Sequence, residues 1–97
     1  MDSISVDSYV LDVLMRDLIA ADRTPSAFVV FLHLWRRTAE TKQGVVFASY
    51  RSIADATGLS RSGVQDAIAA LARRKLLRVQ RKSATATPGY TLVCHWR

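Results

Sequence analysis

Residues Ser49 to Arg74 read SYRSIADATGLSRSGVQDAIAALARR. The stretch encodes two short helices joined by a tight turn. Ser49 and Ser60 each stand where a serine oxygen caps the free amides of a first helical turn. The turn itself is Thr57-Gly58-Leu59-Ser60. Gly58 suits the left-handed conformation at a helix end, and Leu59 is an apolar plug for the gap between the helices. Ile53, Ala54, Leu59, Val64, Ile68 and Leu71 make one shared core. Ala54 is small enough to let the two helices cross closely. This is the apolar spacing of a helix-turn-helix, whose dominant use is to lay its second helix in the DNA major groove.

Residues advance by about 100° around a helix, so Val64, Ile68 and Leu71 fall within about 60° of arc and point inward. Ser62, Gln65, Asp66, Ala69 and Arg73 take the opposite side, with Arg61 at its edge. Gln65 matches adenine bidentately, Arg61 matches guanine, and Ala69 offers a methyl to thymine. Ser62 suits a base edge or a phosphate. Asp66 has three openings on this face: cytosine N4, a neighbouring arginine, or solvent beyond the groove. Ser60 begins the same helix. Arg51 lies in the first turn of the preceding helix, where an N-terminus meets a phosphate. Tyr50 beside it suits either a phosphate contact or packing.

Downstream, Leu77, Val79 and Arg81 alternate with Arg78, Gln80 and Lys82. Beyond the polar loop from Ser83 to Gly89, Tyr90, Leu92, Cys94 and Trp96 alternate with Thr91, Val93 and His95. Period-two alternation on both sides of a loop predicts a β-hairpin. Arg73, Arg74, Lys75, Arg78, Arg81 and Lys82 crowd its start. Two readings of this cluster stand together. One is a clamp on phosphates and the minor groove. The other is positive charge complementing a helix C-terminus, followed by a solvated strand face. The clamp reading leads at Arg81 and Lys82, near the hairpin tip.

Upstream, Thr24 is a candidate N-cap and Pro25 fits a first helical position. The helix they open is expected to run to about Thr41. Phe28, Phe31, Leu32 and Trp35 form a stripe that Val29, Val30 and Leu34 widen, so this helix is buried on more than one side. Before it, Asp7 or Ser8 opens a helix to Ala20 whose apolar residues are Val10, Leu11, Val13, Leu14, Leu18 and Ile19. Its Asp12, Arg16 and Asp17 read as a solvated outer face. Val45-Val46-Phe47 is a short β-prone run. The expected fold is mainly α with a small β-hairpin wing, in the order α-α-β-α-α-β-β. It forms one domain over residues 1–97, with an N-terminal helical extension at about 7–21.

The segment from Ile53 to Leu77 resembles the winged helix-turn-helix of bacterial GntR-type and MarR-type regulators. The Leu59-Ser60-Arg61-Ser62 entry to the second helix carries most of the resemblance. The exit from Leu71 to Leu77, followed by a basic hairpin, and the Pro88-Gly89-Tyr90-Thr91-Leu92-Val93 return strand add to it. The resemblance implies a transcriptional regulator, with Ser60, Arg61, Ser62 and Gln65 at DNA-contacting positions and the hairpin as the wing.

Charge distribution agrees with a polyanionic partner. The 97 residues carry a formal net charge of +6. Residues 1–48 hold five Lys/Arg and six Asp/Glu, whereas residues 49–97 hold nine and two. The positive excess therefore lies wholly in the half with the helix-turn-helix. Cys94 is the one cysteine, so no internal disulfide forms, and its spacing fits a small buried apolar residue. No apolar run is long enough to span a bilayer, and the N-terminus has acids where a signal peptide carries bases. His33 lacks partners at metal-ligand spacing and reads as a core or interface histidine, His95 reads as exposed on the last strand, and no nucleophile–base pair or carboxylate dyad stands out. Trp35 and Trp96 read as packing anchors, with a dimer interface as a second reading for Trp96. The expectation is a cytoplasmic, non-enzymatic protein that binds double-stranded DNA as a homodimer, without metal, cofactor or membrane. A plasmid or phage replication or partition role, and a protein-interaction module, stay open as alternatives.

Overall fold

In the computed structural model, residues 2–97 are described. They run as α1 (8–21), α2 (Pro25–Ala39), β1 (Val46–Phe47), α3 (Tyr50–Thr57), α4 (Arg61–Arg73), β2 (Leu77–Gln80) and β3 (Gly89–Leu92). Four helices and a three-stranded antiparallel sheet make a winged helix-turn-helix, as the sequence predicts. β3 lies between β1 and β2. Its Tyr90 pairs with Val46 on one side and Val79 on the other, and its Gly89 with Phe47 and Gln80. A Cβ on Gly89 would sit 2.8 Å from the Phe47 ring. The missing side chain is what lets that ring lie across the sheet.

α2 is the centre of the core. It packs against α3, α4, β3 and the end of α1, which accounts for its broad apolar girth. Ala27, Phe28, Val30, Phe31, Leu34 and Trp35 are all buried. α2 stops at Ala39, two residues short of the expected end. The amides of Glu40 and Thr41 then turn back to the carbonyls of Arg37 and Thr38, each at 3.1 Å. Thr24 does not cap it with a side chain; its hydroxyl donates instead to the Asp22 carbonyl at 3.0 Å. Pro25 holds the first turn.

α1 departs from the expected spacing. It winds as a π-helix at Val10–Leu14 and Asp17–Ala21. Such i→i+5 turns hold more than four residues, which keeps every fourth residue on one line. Val10, Leu14 and Leu18 are therefore the buried set, while Leu11 is 48% and Ile19 40% exposed. Asp17 is not simply solvated, since its carboxylate lies 3.6 Å from Arg74.

The two ends of the chain lock onto α1 and α2. Neither Asp7 nor Ser8 caps α1 through its side chain. The Asp7 carboxylate accepts instead from Trp96 Nε1 at 2.9 Å and from Arg97. Trp96 stacks on Tyr9 at 4.6 Å between centroids. Trp35 Nε1 donates to the Ser5 carbonyl at 2.9 Å, and Arg97 lies over the Trp35 ring. β3 thus ends at Leu92, sooner than the alternation to Trp96 suggests. Cys94, expected to be buried on a strand, is half-buried beyond it.

Two hydrogen-bonded ion pairs fasten the fold from outside, Asp7 with Arg97 and Asp22 with Arg74, beside the looser Asp17–Arg74 approach. The partner guanidinium, aided at Asp7 by Trp96, holds each carboxyl below its ordinary value of 3.8. A depressed folded-state pKa contributes stability above the unfolded value, and that contribution is lost as pH falls through the folded value. The melting temperature is therefore expected to drop as pH is lowered below about 4. The double substitution Asp7→Asn with Asp22→Asn should lower stability near neutrality and flatten that acid slope. Thermal denaturation from pH 6 to pH 2 checks it; parallel slopes in the two proteins would remove the linkage.

Candidate nucleic-acid interface

Each helix of the central motif is opened by its serine. Ser49 Oγ accepts from the Ser52 amide at 3.1 Å, and Ser60 Oγ from the Gly63 amide at 3.0 Å. A Cβ on Gly63 would lie 3.1 Å from that Ser60 oxygen, so glycine keeps the cap close. Between the helices, Gly58 takes φ 81° and its amide closes α3 on the Ala54 carbonyl at 2.9 Å. Thr57 finishes the turn, donating to the Ile53 carbonyl at 2.8 Å and accepting from the Leu59 amide at 3.3 Å. Four side-chain and backbone bonds, from Thr57, Gly58, Leu59 and Ser60, thus fix how α4 leaves α3.

α4 divides cleanly. Val64, Ala67, Ile68, Ala70 and Leu71 are buried. Arg61, Ser62, Gln65, Asp66, Ala69, Ala72 and Arg73 are exposed. Among the described residues, no ion pair or side-chain hydrogen bond engages Arg61, Gln65, Asp66 or Arg73, so no arginine pairs with Asp66. Ser60 is occupied as a cap, and its oxygen lies 3.3 Å from Ser62 Oγ. Ala72, seven residues on from Gln65, belongs to the same open face. The helical spacing that placed Ala69 there places Ala72 too.

The basic cluster separates into two kinds. Arg74 is not a free cation: its Nη2 donates to Asp22 Oδ1 at 2.9 Å, and its Nε bonds the other oxygen. It ties the end of α4 to the corner between α1 and α2. Lys75 takes φ 58° just past the helix end, and Arg23 takes φ 53° past the end of α1. The amides of Lys75 and Leu76 return to the carbonyls of Ala72 and Leu71, both at 3.0 Å, a Schellman closure that usually employs glycine. Arg73, Arg78, Arg81 and Lys82 are exposed. Arg78 shares the outer sheet face with Gln80, and Arg81 and Lys82 open the loop to β3. On α3, Arg51 is exposed and Tyr50 half-buried against the core.

With this geometry in place, one comparison decides the family. The helix-turn-helix domain family matches residues 24–77, more than half of the chain. The chain belongs to that family. The match runs from the residue before α2 to the first residue of β2, leaving α1 and most of the wing outside it. No curated protein and no solved structure matches the chain. A helix-turn-helix domain points to DNA as partner, and such domains are typically not enzymes. Among the described residues, no helix of this helix-turn-helix domain is long and apolar enough to cross a membrane, and no three His, Cys, Asp or Glu gather as metal ligands. His33, inside the apolar helix α2, is half-buried with Nε2 unpartnered, and burial pushes its pKa down.

Proposed function

We propose that this protein reads double-stranded DNA by sequence, as a transcriptional regulator with the GntR-type or MarR-type mode of winged-helix binding. The supporting observation is the open face of α4, where Arg61, Ser62, Gln65 and Ala69 stand unengaged by other side chains except for the Ser60–Ser62 contact. Arg61 and Gln65 take base edges in the major groove, with Ser60 and Ser62 at the groove entrance and Ala69 against a thymine methyl. Arg51 and Tyr50 hold a phosphate at the start of α3. Arg73, Arg78, Arg81 and Lys82 hold the backbone or minor groove along the wing.

The protein acts as a homodimer in this reading, with the exposed Leu11 and Ile19 of α1 available to a second copy. About four phosphate contacts per protomer then give a log–log salt slope of roughly −7, and half that for a monomer. A salt titration of binding to random duplex DNA reads both quantities. No binding at low salt would favour a protein-interaction module. Selection from a random DNA pool separates promoter-like sites from the repeated sites of a replication or partition factor.

Arg81→Ala is expected to weaken every duplex alike and to reduce the salt slope by about one per protomer. An unchanged affinity and slope would remove the wing from the interface.

A further inference from the structure

We infer that the cavity at the end of α4 is a binding site for a small amphipathic anion, a carboxylate carried on an apolar chain. This goes beyond the DNA reading, and the site shares only Ala72 and Arg78 with the surfaces described above.

Three segments wall the cavity: the last turn of α4, the start of β2 and the residues that follow β3. Its volume is about 530 Å³, within the range of small-molecule sites. The chain reverses at Lys75, whose φ of 58° turns the end of α4 directly into β2. The Val93 amide then donates to the Leu76 carbonyl at 2.9 Å, which holds the segment after β3 along the same edge. Ala72, Leu77 and Val93 line the cavity with apolar surface. Leu77 is buried with the core, so that part of the wall is rigid.

The rest of the lining is basic. Lys75, Arg78, His95 and Arg74 complete it, and no acid takes part. Arg74 is already engaged by Asp22 and Asp17. Lys75, Arg78 and His95 are exposed and, among the described residues, enter no ion pair or side-chain hydrogen bond. The His95 ring stands nearly perpendicular to Tyr9 and Trp96, 5.9 Å and 5.4 Å away between centroids, so aromatic packing sets its direction. Free cations around a concave, partly apolar wall select the occupant. A bare inorganic anion gains nothing from Ala72, Leu77 and Val93, and a neutral apolar molecule gains nothing from Lys75 and Arg78. A carboxylate on an apolar chain uses both, with charge-assisted bonds to the two cations and burial of the chain against the wall.

Octanoate is the probe, in titration calorimetry of the full chain without DNA. Octanol, with the same chain and no charge, and acetate, with the same head and no chain, are the controls. Octanoate is expected to bind with a Kd below about 1 mM, and both controls at least about tenfold more weakly. Lys75→Gly removes one cation and suits the left-handed backbone at that position. Arg78→Gln removes the other from an exposed strand residue. Each should weaken octanoate roughly tenfold without lowering the melting temperature. Ala72→Leu places a larger side chain against the cavity from an exposed helix position and should abolish binding. Absence of octanoate binding, octanol or acetate binding as tightly as octanoate, or an affinity unchanged by all three substitutions overturns the assignment. None of these readouts involves DNA, so their failure leaves the DNA reading standing, and failure of the protein to bind duplex leaves this site standing.

Discussion

Arg61→Ala and Gln65→Ala should each lower affinity for the preferred duplex by about 1–3 kcal/mol, five- to more than a hundredfold, while binding to random duplex barely changes. Both side chains are exposed and, among the described residues, enter no ion pair or side-chain hydrogen bond. Their loss therefore leaves the fold intact, and melting temperatures should stay within a degree or two. What changes is discrimination. A bidentate guanidinium or amide rewards one base pair and leaves its own groups unpaired on the others. Competition binding against single-base variants of the selected site gives the readout. Arg61→Ala should flatten preference at one position, and Gln65→Ala at another. If both variants lose affinity uniformly over all duplexes, the two side chains hold phosphates and the base-reading assignment is wrong. Asp66 provides an internal comparison. It is exposed and unpaired on the same face, so Asp66→Asn separates repulsion of the backbone from acceptance at cytosine.

The helix-turn-helix was legible because each joint is a local signal. Ser49, Gly58 and Ser60 act through bonds to atoms within four residues, and such bonds are written in the sequence next to the residues they serve. The inward faces of α2 and α4 were legible for the same reason, since their period is that of an ordinary helix. The places where reading failed share a different cause. Asp7 looked like a cap and became the acceptor for Trp96 and Arg97, about ninety positions away. Arg74 was open to two readings, a phosphate clamp or charge at a helix C-terminus, and became the partner of Asp22, on another corner of the fold. Both are long-range pairings, and nothing in the local pattern distinguishes a free cation from a paired one. Left-handed helix ends at Arg23 and Lys75 were hidden because glycine is absent there. The π-turns of α1 were hidden because its residues also fit an α-helical stripe. Within the candidate interface, the exposed members were readable from helical spacing.

Phe31 and Phe47 have the same side chain and are expected to respond to alanine by very different amounts. Phe31 is fully buried in α2, where its ring meets Trp35 at 6.0 Å between centroids. Removing it deletes transferred apolar surface and leaves a cavity that the surrounding helices only partly fill. Phe→Ala at such sites costs about 3–5 kcal/mol. A domain of this size has a total stability of only about 5–15 kcal/mol. Phe31→Ala therefore takes away a large share of that stability, and the unfolded state becomes populated at a much lower temperature. Because α2 is the element on which α4 rests, DNA binding should fall with the folded fraction and recover on cooling. Phe47 is 51% exposed and lies across Gly89 on the outer sheet face. Phe47→Ala uncovers that glycine and leaves no cavity in the core, so a loss of about 0.5 kcal/mol is expected, with DNA affinity retained. Urea denaturation of the three proteins side by side measures the contrast through its midpoints. Equal midpoints for the two variants would mean that the core does not lie where α2 places it. A stable Phe31→Ala that has lost DNA binding would mean that α2 positions the recognition helix without carrying the fold.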